Sequence, residues 1–154
     1  MLIEVKIGAL IMDPNTNNPI VVLKGIDSET ILPIWVGAFE ANAIALEIEK
    51  IVPPRPMTHD LLRNLIIESG LKAVRIIIND LRENTFYALI ELSDKDDALM
   101  TLDARPSDAI ALALRLDCAI FVEQKVIDIS ASAQSESSVD DVNQAPEDWP
   151  DLIG

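Results

Sequence analysis

The strongest constraint on the fold is the order in which two hydrophobic periods follow each other along the chain. Residues 2–13 alternate between apolar and polar side chains, and this period of two predicts a strand. The runs at 20–26 and 30–36 are short, apolar and rich in β-branched residues, so they predict two more strands. Short turn-forming linkers separate the three runs, and the chain is therefore expected to open with a three-stranded meander.

The period then changes to the one that is typical of amphipathic helices. Gly37 ends the strand region. Thr58 and Ser107 are the predicted N-caps of the second and third helices, because a hydroxyl oxygen can accept a hydrogen bond from a free backbone amide. The three predicted helices cover residues 38–51, 59–69 and about 107–117.

Further strand-like runs lie between and after these helices. They cover residues 72–79, 85–92, 98–103, 119–123 and 125–129. Strands are thus grouped together and do not alternate strictly with helices, and this order is typical of an α+β fold. The sequence predicts a mixed or antiparallel sheet with about three helices packed on it.

The composition divides the chain into a body and a tail. Residues 1–130 contain every predicted helix and strand, so we expect one compact domain there. Residues 131–154 are polar, acidic and rich in serine, without Lys or Arg, and are predicted to be disordered because they cannot bury enough apolar surface. The apolar cluster at 149–153 in this tail could dock on a partner protein or on the body, or could be a loose end.

The charge balance limits which partners the protein can bind. The chain carries a formal charge of −14, from 26 acidic and 12 basic side chains, and a field of this sign repels phosphate backbones. Aromatic residues make up only 4% of the chain, which leaves few flat side chains on which nucleic-acid bases could stack. A nucleic-acid function would therefore need a local basic patch, a bound cation, or both.

Cysteine usage and hydropathy set the expected location. The single cysteine, Cys118, excludes an internal disulfide and is expected to be a small core residue, which suits a reducing compartment. The N-terminal residues lack the basic segment and cleavage site of a signal peptide, and no apolar run approaches the roughly 20 residues of a membrane span. We therefore expect a cytoplasmic protein with no membrane association.

Three short segments could carry chemistry, and each has a structural interpretation beside the functional one. Glu40, in the first turn of the first predicted helix, is either an acid favoured there by the helix dipole or a member of a site. His59 and Asp60, at the start of the second helix, are either part of an N-terminal cap or a pair that moves protons or binds a divalent ion.

Arg55 and Arg105 precede two helix starts that are similar in outline, each with Arg-Pro, a hydroxyl residue and an aspartate. Capping uses the hydroxyl of Thr58 or Ser107 and does not need the arginine. The arginines therefore suggest either a structural Arg–Asp bridge or the binding of an anion beside a helix N-terminus.

Motifs of several common enzyme classes are absent from the sequence. It contains no GxGxxG, P-loop, HExxH or CxxC, and its one histidine and one cysteine cannot form a site built from several of either. A metal could be held only by carboxylates, with or without His59, and such ligands suit Mg²⁺ or Mn²⁺ better than Zn²⁺. No organic cofactor is expected.

Four segments, in this order, resemble the bifunctional nuclease domain family: GAFEANAIALEIE, RPMTHDLL, FYALIEL and LDARPSDAIALALRL. The resemblance covers roughly residues 1–130. It implies an α+β fold, a homodimer or larger assembly, and degradation of both RNA and DNA. The matching positions are Glu40, Arg55, Pro56, Thr58, His59, Asp60, Arg105, Pro106, Ser107 and Asp108.

Two hypotheses for the function follow from these residues. In the first, the protein is a nuclease that hydrolyses phosphodiester bonds in RNA or DNA with a divalent cation. His59 would act as general base or acid beside the acidic catalytic residues. The cation would be held by Asp60, Asp108 and Glu40, and the phosphate by Arg55, Arg105, Thr58 and Ser107.

In the second hypothesis, the protein is a non-enzymatic regulatory or assembly module that acts through its oligomer surface and its acidic tail. The geometry of the two Arg-Pro helix starts distinguishes the hypotheses. Convergence on one concave pocket that solvent can reach favours the nuclease. Wide separation, or arginines buried against carboxylates, favours the module.

Overall fold

The computed structural model describes residues 1–137, and within this range the chain forms seven strands and four helices. The strands are β1 (Leu2–Met12), β2 (Pro19–Gly25), β3 (Ile31–Trp35), β4 (Lys72–Arg82), β5 (Thr85–Ser93), β6 (Leu99–Ala104) and β7 (Ala119–Glu123). The helices are α1 (Ala38–Ile48), α2 (Thr58–Glu68), α3 (Pro106–Leu116) and α4 (Gln124–Ser137).

The seven strands form one mixed sheet with β7 in its middle. The order across the sheet is β3-β2-β1-β7-β4-β5-β6. Strands β4 and β7 pair in parallel, and all other neighbours pair antiparallel. The prediction of an α+β fold with a mixed sheet and an opening three-stranded meander is confirmed.

The core between the sheet and the helices is aliphatic. Alternate residues of β5, namely Ala88, Ile90 and Leu92, are buried and belong to the same apolar cluster as Ile110 and Leu112 of α3. Helices α1 and α2 both pack against α3, which in turn packs on β4, β5 and β7. Because α3 is the shared neighbour, it sets how the first turns of the other two helices are placed.

The prediction of a strand over residues 125–129 is wrong, because this segment lies in the first turns of helix α4. Val126 and Ser130 are both buried and lie four positions apart, which is the spacing of one helix face. Ile129, which would belong to a helical surface, is 43% exposed. A five-residue mixture of apolar and polar side chains fits either period, and here packing against β3, β4 and β7 decides for the helix.

The predicted domain boundary at residue 130 falls inside α4, which continues to Ser137. The residues that form the buried core lie between Val5 and Val126. The remainder of the predicted tail, residues 138–154 with the apolar cluster at 149–153, lies outside the described residues.

The predicted helix caps are shifted by one or two residues. Met57, and not Thr58, is the N-cap of α2, and Arg105, and not Ser107, is the N-cap of α3. Neither hydroxyl caps its helix, because Thr58 and Ser107 lie inside the first turn. In α2 the capping acceptor is the Asp60 carboxylate, which receives the Met57 backbone N–H at 2.9 Å.

Two further expectations can be compared with the structure. Within residues 1–137, none of the helices has the length and apolar character needed to cross a membrane. Cys118 is half-buried and packs against the core cluster, and this burial raises the pKa of its thiol.

Candidate active site

A groove of about 890 Å³ lies where α1, α2 and α3 meet the edge of the sheet at β5 and β6. Its walls are largely apolar, with Leu62 and Leu65 from α2 and Met100 and Leu102 from β6. Polar side chains from the helix starts are Glu40 of α1, His59 of α2, and Arg105 and Asp108 at the start of α3. Asp103 of β6 and Arg115 of α3 are further charged residues of the lining.

The starts of α2 and α3 meet through an imidazole–carboxylate contact. The Nε2 atom of His59 lies 2.8 Å from the Oδ1 atom of Asp108, across a sequence separation of 49 residues. His59 is the second residue of α2 and Asp108 the third of α3, so both side chains project from first turns. The side chain of His59 is only 11% exposed. The sequence left open whether His59 belongs to a helix cap or to a site, and the contact with Asp108 favours the site.

Arg105 joins two carboxylates at the groove. Its Nε and Nη2 atoms each lie 2.9 Å from Oδ2 of Asp108, and its Nη1 atom lies 3.1 Å from Oε1 of Glu40. These contacts, with Asp108 the larger influence, raise the pKa of the Arg105 guanidinium above its ordinary value. The side chain nevertheless remains 66% exposed, so the guanidinium is in contact with solvent.

Glycine at the N-cap of α1 lets Glu40 take part in this cluster. The Glu40 carboxylate folds back towards Gly37, and a Cβ atom at that position would collide with its Oε2 atom. The Glu40 side chain is 19% exposed in this conformation. The absence of a side chain at residue 37 therefore leaves space for the carboxylate beside Arg105.

The contact with Asp108 determines which nitrogen of His59 can accept a proton. An ionised carboxylate only accepts hydrogen bonds, so in the neutral ring the proton must be on Nε2. The Nδ1 atom then carries the free lone pair, and it has no hydrogen-bond partner among the described residues. In chemical terms His59 can act as a base at Nδ1 while Asp108 orients it.

Asp60 is not part of this cluster and instead accepts a hydrogen bond from Arg115. The Nε atom of Arg115 lies 2.9 Å from Oδ1 of Asp60, while Nη1 and Nη2 donate to the backbone carbonyls of Ala111 and Ala43 at 3.0 and 2.9 Å. The Met57 backbone N–H, together with Arg115, lowers the pKa of the Asp60 carboxyl below its ordinary value. The aspartate thus closes the first turn of α2 and holds a guanidinium.

Arg115 was missed by the sequence analysis. Its side chain is 3% exposed and connects α1, α2 and α3 through the bonds just described. The available signal was an arginine in the last turn of a helix whose other residues are almost all apolar. Its distance of 55 residues from Asp60 hid the pairing.

The structure brings together only some of the predicted site residues. Thr58 lines the groove, whereas Ser107 is buried at 6% exposure. Arg55 is exposed and is not among the residues that line the groove. In residues 1–137 no group of three or more His, Cys, Asp or Glu side chains is arranged to hold a metal ion. Asp60 lines a second pocket and not the groove that Glu40 and Asp108 line.

Phe39 is a further groove residue that the sequence analysis did not single out. It is the second residue of α1, lines the groove beside Glu40, and is 90% exposed. The signal was its position outside the apolar stripe of the helix. The buried residues of α1 are Ala41, Ala43, Ile44 and Ala45.

Comparison with known proteins gives the site a family context. A family profile, the bifunctional nuclease domain, matches residues 21–135, a range that includes the whole groove cluster. An uncharacterized protein of Mycobacterium tuberculosis is 44% identical over 126 residues, which cover 80% of this chain and 73% of that protein.

Two rice proteins are more distant relatives. Bifunctional nuclease 2 of Oryza sativa subsp. japonica is 30% identical over 112 residues, or 70% of this chain and 34% of that protein. The bifunctional nuclease of Oryza minuta is 28% identical over 110 residues, or 69% of this chain and 33% of that protein. The chain thus spans about a third of the length of these plant proteins. With the family profile matching well over half of its length, the chain belongs to the bifunctional nuclease domain family.

Proposed function

We propose that the protein is a nuclease that hydrolyses phosphodiester bonds of RNA or DNA in the groove between α1, α2 and α3. The observation that carries this proposal is the 2.8 Å contact between His59 and Asp108, beside an exposed guanidinium. Such a pair can move a proton, and the guanidinium can offset the charge of a phosphate. Family membership and the names of the rice relatives support the same activity.

In this proposal His59 is the general base. Its Nδ1 atom would take a proton from the attacking water, and the Asp108 carboxylate on Nε2 would stabilise the imidazolium that forms. As the phosphorus–oxygen bond to the leaving group breaks, the imidazolium would give this proton to the leaving oxygen. Asp108 also orients the ring, because the contact fixes one of its two nitrogens. One histidine is therefore enough for this role, because a carboxylate orients it.

Arg105 is the proposed phosphate-binding residue of the groove. A guanidinium has more N–H donors than Glu40 and Asp108 use in the present contacts. The remaining donors have no partner among the described residues, and the side chain is 66% exposed. Glu40 then serves to position Arg105.

We also propose that a divalent cation binds in the groove and supplies positive charge in addition to that of Arg105. The described residues do not provide a cage built wholly from protein ligands. Mg²⁺ and Mn²⁺ also bind through one or two carboxylates, with water and substrate phosphate completing the coordination. Glu40 and Asp108 would hold such an ion, which would offset the charge of the phosphate and of the acidic body.

The test is hydrolysis of RNA and single-stranded DNA by purified protein with Mg²⁺ or Mn²⁺. His59→Ala and Asp108→Asn are expected to lower kcat by about 100-fold or more, because general acid–base catalysis contributes roughly 10²–10⁴-fold. Ile31→Ala is the control, since Ile31 is 60% exposed on β3 and lies outside the groove. Equal rates in the wild type and both site variants would indicate a contaminating nuclease and contradict the proposal.

We also propose a homodimer, and one feature of the sheet supports it. Strand β6 is the last strand of the sheet, so its outer edge is open within the described residues. The sequence of β6 contains no lysine or proline to block pairing, and Leu99 on it is 67% exposed. Leu99→Lys is expected to give a monomer by light scattering, and an unchanged mass would move the interface elsewhere. If the hydrolysis test fails while the dimer persists, the non-enzymatic assembly function becomes the better account.

A further inference from the structure

Among the described residues that line the groove, the most exposed aromatic side chain lies next to the charged cluster in sequence. Phe39 is 90% exposed, compared with 50% for Trp35, and so contributes almost no burial to the fold. It precedes Glu40, whose carboxylate contacts Arg105. The ring is also continuous with the apolar groove wall, because Met57 and Leu62 line the same groove and are 45% and 38% exposed.

The groove has no net positive charge for binding phosphates, because the carboxylates of Glu40, Asp103 and Asp108 outnumber the guanidinium groups among its described lining residues. The guanidinium groups among its described lining residues belong to Arg105 and Arg115. Arg105 already contacts two carboxylates, and Arg115 is only 3% exposed. Affinity that depends on phosphate contacts is therefore weak here, and most of the binding energy has to come from apolar surface.

The predominance of apolar surface over cationic groups in the groove favours single-stranded over double-stranded nucleic acid. A duplex presents its phosphates outwards and keeps the faces of its bases stacked on one another. A single strand exposes base faces, which stack on aromatic side chains and pack on apolar ones. A groove with an exposed ring, apolar walls and few cations suits the single strand.

We infer that the substrate is single-stranded nucleic acid, and that Phe39 is a specificity-determining residue that stacks on the base next to the phosphate held by Arg105. The inference rests on the proposed nuclease function. It assigns the apolar wall of the groove to the bases and the cluster at the helix starts to the backbone.

The binding test uses fluorescence anisotropy with EDTA present, so that no turnover is needed. The probes are a labelled oligothymidylate, the same backbone with abasic positions, and a hairpin duplex. Phe39→Leu, which keeps an apolar side chain but removes the flat ring, is expected to weaken oligothymidylate binding about tenfold. Phe39→Trp is expected to restore it, and Ile31→Ala, on the exposed β3 surface outside the groove, to leave it unchanged.

Four results would overturn the inference. The first three are equal affinity of Phe39→Leu and the wild type, equal affinity for the abasic strand and oligothymidylate, and tighter binding of the duplex. A fourth is a changed mass of Phe39→Leu by light scattering, because the ring would then be covered by a second copy of the chain. We expect a salt dependence of only about one or two released counterions, in contrast to the many released by phosphate-binding proteins.

The outcome separates this inference from the proposed function. Stacking-dependent binding without any hydrolysis would refute the nuclease and retain the role of Phe39 in binding. Hydrolysis that depends on His59 but is indifferent to Phe39 would retain the nuclease and refute the stacking. In an active enzyme, Phe39→Leu is expected to raise KM about tenfold for single strands with kcat nearly unchanged.

Discussion

At the scale of single residues, the groove depends on how Arg105 is shared between two carboxylates. Asp108 holds the guanidinium from within the same helix turn, and Glu40 holds it from the neighbouring helix. Asp108 also contacts His59, so a change at any of the four side chains reaches the others. Such connected groups rarely act additively when they are replaced.

Gly37→Ala tests whether the position of Glu40 matters. The added Cβ atom would collide with the Glu40 carboxylate, which must turn away from Arg105. Because the displaced atoms are the end of a flexible side chain, the free energy of unfolding is expected to fall by no more than about 1 kcal/mol. The rate of hydrolysis is expected to fall clearly more than the melting temperature, and a wild-type rate would show that Glu40 has no role in positioning.

The Asp60 carboxylate gives a prediction about acid stability. Its pKa is lowered in the folded protein, chiefly by the Met57 backbone N–H, relative to the ordinary value of 3.8. Its contribution to stability is therefore complete above pH 3.8 and is lost as the pH falls through the lower folded value. Asp60→Asn should show a smaller loss of unfolding free energy over this acid range than the wild type in urea titrations. Parallel curves for the two proteins would contradict this assignment.

At the scale of elements, Arg115 holds the three helices that form the groove. Its buried guanidinium binds the Asp60 side chain and the carbonyls of Ala43 and Ala111. Removing it breaks the ion pair with Asp60 and the bond from α3 to the Ala43 carbonyl of α1, and leaves the Met57 N–H as the remaining donor to the Asp60 carboxylate. The positions of the three helices then depend on packing against α3.

Arg115→Ala is expected to lower the free energy of unfolding by about 3–5 kcal/mol, the range for breaking a buried ion pair. Arg82→Ala is the matched control, because Arg82 also pairs with an aspartate but its side chain is 63% exposed. The control should cost less than about 1 kcal/mol. Urea unfolding measures both, and a similar small loss in the two variants would contradict the structural role of Arg115.

The sequence predicted elements well where the apolar run was long, and contacts poorly where partners were distant. The runs that became β4 and β5 are long and largely apolar, with three consecutive isoleucines at 76–78 and five consecutive apolar or aromatic residues at 86–90. The run at 125–129 was too short to separate strand from helix, and packing decided it. Residue types at the helix starts pointed to His59 and Asp108, but nothing local showed that Asp60 would turn to Arg115 and away from them.

At the scale of the whole molecule, the buried apolar contacts that stabilise the body lie among the described residues. The buried cluster runs from Val5 to Val126, and α4 ends at Ser137. Five of the 26 acidic residues lie beyond Ser137 without any basic residue, so a chain that ends there carries −9 instead of −14.

Truncation after Ser137 is therefore expected to change the free energy of unfolding by no more than about 0.5 kcal/mol. The lower negative charge should also strengthen binding of oligothymidylate at low salt, because the shortened chain repels phosphates less. Thermal unfolding and anisotropy measure the two effects. A large loss of stability would instead indicate that the cluster at 149–153 docks on the body.

The central place of β7 has a consequence for how the protein is made. Two halves of the sheet, β1–β3 and β4–β6, are joined by a strand that the ribosome delivers after both. Leu2 pairs with Glu123, which the ribosome adds roughly 6–24 seconds later at the usual rates of translation. Until β7 is made, β1 and then β4 each keep an unpaired inner edge, and such edges expose a nascent chain to misfolding and aggregation.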